Sequence, residues 1–326
     1  MRACKKVDER PDPDTFADNF LVTVLMRREK KLNLSWLLVE GRGDLQAMQQ
    51  HCACQIKEAE GRDQVITTIR KAEEDQDKYH GIIGLVDKDY SDFIPEKKPL
   101  PRRVVMFKKQ NDLESAVLFH QSINIVEQII RVKEMRVDMQ VHNVLDSWGF
   151  SKEYPFDNLV KNIVGPIGVL RVAYKSMPKE YRLGNQRSFT CGLGDDCIVQ
   201  AAWSKQNPLK QLTPNELANI PDNNCIFNVS DRKRLENAIG ERIPDLNRNP
   251  WSYVRGKDLV YTLALALSSN QYLIHKKYNE PYQLKDYIQN LIPSYFDAAV
   301  LSNCELKELV LYAIYPETNI YCYFHK

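Results

Sequence analysis

At 326 residues the chain is long enough for two domains, or for one domain with a large extension, and 43% hydrophobic with 27% charged residues is the make-up of an ordinary soluble globular protein. A net charge of +2 excludes attraction to nucleic acid by bulk charge alone, so any electrostatic footprint has to be local. Residues 1–14 are charged and lack the apolar stretch of a signal peptide, and the longest apolar run, Leu259 to Leu267, is too short to span a bilayer, so a cytoplasmic protein is expected.

From the N-terminus, Asp14 is expected to cap a helix whose Phe16, Phe20, Leu21, Val24 and Leu25 share one face. Trp36 to Val39 then reads as a buried strand of the parallel-sheet kind, and it runs into Glu40, a Gly-x-Gly turn and Asp44. Glycines at 41 and 43 permit a tight turn that folds Asp44 back beside Glu40; the same residues also suit a solvated loop in which Asp44 caps the next helix, Leu45 to about His51. Cys54 to Ala59 alternates like a strand, Gly61 punctuates, and Asp63 opens a helix with Val65, Ile66 and Ile69 on its apolar side. His80 to Val86 is a third strand, ending in Asp87-Lys88-Asp89-Tyr90, and Val104 to Phe107 a fourth, leading to the acidic helix start Asn111-Asp112-Leu113-Glu114-Ser115. Alternating strands and helices predict parallel βαβ units with right-handed crossovers.

Beyond Ser115 the period is helical: Ala116 to Ile130, Val141 to Trp148, Phe156 to Met177 with a kink or break at Gly165-Pro166, Leu217 to Ile220, Asp231 to Ile243, Asp258 to Ser268, Leu284 to Ile292 and Leu306 to Tyr315. Gly184 to Asp196 reads as a Gly-rich loop, with Asp195 and Asp196 in a plain turn, and the tail 319–324 has β-type residues. The expected organisation is therefore an N-terminal helical segment (1–34), an α/β domain (35–120) and a mainly helical domain (121–326). The apolar face Val160, Ile163, Ile167, Leu170 and Tyr174 suits self-association, or else closes the protein's own core.

Three strands deliver carboxylates at their carboxyl ends: Glu40 with Asp44, Asp87 with Asp89, and Asp112 with Glu114. Gathered on one sheet edge they would repel, and hard divalent cations, Mg²⁺ or Mn²⁺, are the usual remedy for oxygen-only clusters. In an extended segment Asp87 and Asp89 would point the same way, and such a cluster suits phosphoryl transfer. Lys97, Lys98, Arg102, Arg103, Lys108 and Lys109 crowd the loop and strand next to the acidic residues, with Tyr90 and Phe93 nearby. They suit a phosphate-tracking rim with stacking faces, or a solvated loop. His51, Cys52 and Cys54, and Cys191 with Cys197, lack the paired spacing of a zinc site, so the eight cysteines are read as reduced thiols. No phosphate-binding Gly-x4-Gly-Lys-Ser/Thr loop is present.

The hydrophobic-Glu-Gly turn, the Asp-x-Asp and the acid downstream resemble the Toprim fold over about residues 34–118. The Glu-x3-Asp spacing of Glu40 and Asp44 is similar to the two-metal Toprim nucleases of the overcoming-lysogenization-defect class, more than to topoisomerases or primases. Asn-Asp-Leu-Glu at 111–114 and Arg-Gly-Lys-Asp at 255–258 also resemble the domain of unknown function 4435 family, whose members include the Toprim effectors of the PARIS anti-phage systems. The resemblance implies Glu40 as metal ligand and general acid/base, Asp87 and Asp89 as metal ligands, Asp44 and Glu114 with Asp112 at a second metal, and Lys257 as a catalytic lysine. GKD before a helix equally suits an N-terminal cap with a solvated lysine. It further implies a metal-dependent endonuclease that cleaves host transfer RNA once released by an ABC-type ATPase sensor that detects a phage; the homodimer is expected from the apolar helical face described above. The alternatives are a DNA nuclease or nickase working with its own ATPase, and a Toprim-like module that only docks on a partner.

Overall fold

The computed structural model describes residues 11–30, 35–49, 52, 54–95, 98–132, 143, 146–149, 155–178, 182–183, 192–204, 210–220, 228–229, 231–268, 281–297 and 300. The expected helix at 306–315, the 319–324 tail and Lys97 lie outside these residues. Two compact units divide the chain, one of Met1–Asp87, Glu96–Lys108 and Asp297–Lys326, the other of Lys88–Pro95 and Lys109–Phe296. Their limits differ from the boundaries at 34 and 120, because the first helix packs on the α/β layer and the segment after Asp87 belongs with the helices.

The first unit is α/β, with a four-stranded, wholly parallel sheet in the order β2-β1-β3-β4. Its strands are β1 (Trp36–Val39), β2 (Gln55–Glu58), β3 (Ile82–Val86) and β4 (Val104–Met106). The two central strands, β1 and β3, are buried along their whole length, whereas edge strand β2 alternates exposed and half-buried residues. Continuous apolar runs therefore mark the centre of this sheet, and the charged alternating strand its rim.

Helix α1 (Pro13–Glu29) and α3 (Arg62–Glu74) pack together on one face, where Phe20, Leu21, Val24, Val65, Ile66 and Ile69 meet Trp36, Leu38, Ile82 and Val86. Contact is closest at Gly84: a Cβ there would lie 2.6 Å from Val65 Cγ1, so α3 rests directly on the β3 backbone. The cap of α1 is Asp12 rather than Asp14. Its carboxylate accepts from the Asp14 and Thr15 amides ahead of Pro13, whose missing N–H is no loss in a first turn.

The described elements of the second unit are helices, α4 (Leu113–His120), α5 (Ser122–Val132), α6 (Gly165–Ser176), α7 (Gly192–Ser204), α8 (Pro214–Ala218), α9 (Arg232–Gly240), α10 (Ile243–Arg248), α11 (Gly256–Leu267) and α12 (Pro281–Leu291), with a two-residue antiparallel pair at 182–183 and 228–229. What reads as one helix over 116–130 is two, broken at Gln121. The kink expected at Gly165-Pro166 takes the form of a π-helical turn, Val160–Val164, in which the Gly165 amide reaches the Val160 carbonyl. A proline without an N–H leaves the regular ladder short of a donor, and the wider turn accommodates it. Gly192 to Asp196, expected in a loop, opens α7 instead; the Asp196 carboxylate pairs with Lys285 Nζ at 2.6 Å. Val160, Ile163, Ile167 and Leu170 are fully buried inside the unit, so that face closes the chain's own core and is not a surface for self-association. Among the described residues no helix is long and apolar enough to cross a membrane.

Candidate functional site: the carboxyl edge of the parallel sheet

In a parallel sheet ordered β2-β1-β3-β4, the connection from β1 leads towards β2 and that from β3 towards β4. The two loops part between β1 and β3, and the crevice at such a switch point is where ligands bind in open α/β sheets. Glu40 follows the last residue of β1 and Asp87 the last residue of β3. The structure joins them: the Asp87 amide donates to Glu40 Oε1 at 2.8 Å. Arg62 joins the same oxygen: its Nη1 lies 3.9 Å from Glu40 Oε1 and also donates to the Asp87 carbonyl. Glu40 and Arg62 keep 18% and 16% of their side-chain surface exposed.

Asp44 takes a different part. α2 (Arg42–Gln49) starts at once after Gly41, so Asp44 sits inside its first turn and its Oδ2 accepts the Gly41 amide at 3.0 Å. This is the reach of a third-position acid back to the residue before the helix. Neither Gly41 nor Gly43 adopts left-handed backbone, so the expected tight Gly-x-Gly turn is replaced by direct entry into the helix.

Asp89 is exposed and does not continue the strand. The Lys88 and Asp89 amides both donate to the Asn111 carbonyl, at 2.7 and 3.1 Å, and Asp89 has a φ of 51°. The extended alternation expected to align Asp87 with Asp89 does not continue, because the chain turns at Asp89.

Asp112, Glu114 and Lys257 lie in the second unit. Asp112 is buried and caps α4, Oδ1 accepting from the Ser115 amide at 2.8 Å, and it also ties in α11, Oδ2 accepting from the Gly256 amide at 2.8 Å. Burial, with the charge of Glu114 next, pushes its carboxyl up to about 6. Lys257 is exposed in the first turn of α11. Its neighbour Asp258 is buried and makes a two-point ion pair with buried Arg171, at 3.0 and 2.9 Å.

Of the basic residues, Lys98, Arg102, Lys108 and Lys109 are exposed, as a phosphate-tracking rim requires. Arg103 is not part of such a rim: it is buried, its guanidinium on the Tyr79 carbonyl at 3.0 Å and its amide on Glu73 Oε1 at 2.8 Å. Nor are the two aromatics stacking platforms, since Tyr90 is buried and Phe93 already stacks on Tyr253 at 4.3 Å between ring centres.

Oxygen-only carboxylates have the chemistry for Mg²⁺ or Mn²⁺. Among the described residues no three His, Cys, Asp or Glu side chains group closely enough to hold a metal. Glu40 Oε1 and Asp44 Oδ2 each accept a backbone amide instead. Sequence reasoning missed Arg62, for which the signal was a cation in a first helical turn, where the helix dipole disfavours it. Compared with known proteins, the chain matches no family model and no curated protein.

Proposed function

We propose that the chain is a Toprim-type phosphodiesterase, a metal-dependent endonuclease whose reaction centre lies at the carboxyl edge of β1 and β3. The observation that carries this reading is the Glu40 carboxylate held across the switch point by the Asp87 amide and flanked by Arg62. Phosphodiester hydrolysis needs a group that takes a proton from the attacking oxygen and positive charge to offset that building on the phosphoryl oxygens. Glu40 supplies the first, held beside the Asp87 backbone by Arg62. The requirement for Mg²⁺ or Mn²⁺ belongs to the proposal and rests on the resemblance and the all-oxygen donors. So do the metal roles of Asp44, Asp87, Asp89, Asp112 and Glu114; the catalytic role of Lys257 belongs to the proposal on the resemblance alone, and a mainly helical C-terminal domain on the helical period of the sequence.

The biological setting we propose is a cytoplasmic effector of anti-phage defence, held by an ABC-type ATPase sensor and active on transfer RNA as a homodimer once released. The exposed Lys98, Arg102, Lys108 and Lys109 support a polyanionic substrate without distinguishing RNA from DNA. Incubation with transfer RNA and, separately, with plasmid DNA, in Mg²⁺, in Mn²⁺ and in chelator, tests the reading. Cleavage of transfer RNA that chelator stops supports it; cleavage of plasmid alone moves the substrate to DNA; cleavage of neither leaves a docking module.

A further inference from the structure

We propose that Arg62 is a positioning residue of this edge, fixing Glu40 and Asp87 relative to one another; the inference rests on the reading of the edge given above. Three features of the chain converge on this side chain. The link from β2 to α3 passes through two residues with positive φ, Glu60 at 64° and Gly61 at 149°, and a left-handed glutamate is a backbone conformation that side chains disfavour. α3 then opens on Arg62 with no side-chain cap at Gly61, so a cation occupies the helix end that favours anions. Both features oppose stability locally, and both deliver the guanidinium to one place.

There its contacts reach three strand ends. Nη1 donates to the Asp87 carbonyl beyond β3 and lies 3.9 Å from Glu40 Oε1 beyond β1, while Nη2 lies 3.9 Å from Met106 Sδ at the end of β4. With the Asp87 amide on Glu40 Oε1 at 2.8 Å, the contacts close a ring through the two peptide groups that flank the Asp87 Cα, the carboxylate and the guanidinium. The guanidinium is planar, so its orientation on the Asp87 carbonyl sets the direction from which the same plane meets Glu40. A lysine ammonium is a single nitrogen on a differently shaped stem, so it cannot keep the Nη1 contacts and the Nη2 contact with Met106 Sδ together.

The test compares wild type with Arg62→Ala and Arg62→Lys on the substrate that the wild type cleaves. The expected result for Arg62→Ala is a kcat lower by about 10- to 100-fold, the cost of misplacing a reacting group by about an ångström, with KM and the unfolding midpoint little changed. Arg62→Lys recovers little, and added methylguanidinium restores part of the Arg62→Ala activity. An unchanged kcat, a loss matched by a lower unfolding midpoint, or full recovery in Arg62→Lys overturns the proposal. Exchange of the Asp87 amide proton, followed by NMR in the same variants, does not depend on activity: positioning requires faster exchange in Arg62→Ala. Should the wild type cleave nothing, the phosphodiesterase reading fails, and undiminished Asp87 protection in Arg62→Ala then overturns the positioning role as well.

Discussion

Two ion pairs of this chain pair an arginine on a helix with an acid, and they differ in what surrounds them. Arg62 and Glu40, at the ends of α3 and β1, keep 16% and 18% of their side-chain surface exposed and stand 3.9 Å apart. Arg171 and Asp258, on α6 and α11, keep 2% each and make two bonds of 3.0 and 2.9 Å. The closed, two-point pair is shut away from solvent, while the pair at the sheet edge stays partly exposed to it. The acids at strand ends and helix starts therefore do not form one class here: Asp258 and Asp112 hold helices, and Glu40 holds a sheet edge.

The largest expected effect breaks the closed pair. Arg171→Ala leaves Asp258 buried without its partner and should cost about 3–5 kcal/mol in urea unfolding, whereas Glu40→Ala, at a partly exposed position, should cost less than about 1 kcal/mol. Equal costs for the two variants would erase the distinction between the pairs. Replacing both members together, Arg171→Met with Asp258→Leu, should recover most of the loss, since no orphaned charge remains.

The next effect is a pH dependence from Asp112. Its folded carboxyl titrates at about 6 against the usual 3.8, so between these values the folded state keeps a proton that the unfolded chain releases. Stability should accordingly fall as pH rises from about 4 to about 6, by a few kcal/mol at most, and level off above that window. Asp112→Asn should flatten this slope while losing the bond from the Gly256 amide, at a cost of about 1–3 kcal/mol. Unfolding curves across that pH range check both; a slope unchanged in the variant would assign the titration elsewhere.

The smallest effect is at Asp89, exposed and at a φ of 51°. Asp89→Gly should shift stability by at most about 1 kcal/mol, towards the more stable side, because glycine takes up left-handed backbone without strain. If Asp89 also takes part in the reaction, the same variant loses activity at unchanged stability, a separation that thermal melting and an endonuclease assay together resolve.

Much of the sheet was legible in the sequence because its signals are local. Trp36–Val39 and Ile82–Val86 are unbroken apolar runs, and Gln55–Glu58 alternates as an edge strand does. The pairing order was not legible, since it depends on which strands meet in space, and with it went the switch point that makes Glu40 and Asp87 neighbours. The carboxylate pattern singled out Glu40 and Asp87, with Asp112 ranked behind them; that Asp112 caps α4 was signalled by Ser115 three residues on, the other half of a capping box. Arg103 and Arg102 are adjacent and chemically alike, and only the fold buries one and exposes the other. The opening of α7 was lost because Gly192 and Gly194 suggested a loop, whereas Ile198, Val199 and Ala202 keep a helical spacing.

The central claim is that the β1/β3 edge performs phosphodiester hydrolysis, and the most direct measurement is the cleavage rate of transfer RNA and of plasmid DNA by wild type and Glu40→Ala side by side, with Mg²⁺ present. The account predicts that wild type cleaves one of them and that Glu40→Ala, at an unchanged unfolding midpoint, is slower by on the order of 10²- to 10⁴-fold. Cleavage by Glu40→Ala at the wild-type rate would contradict it.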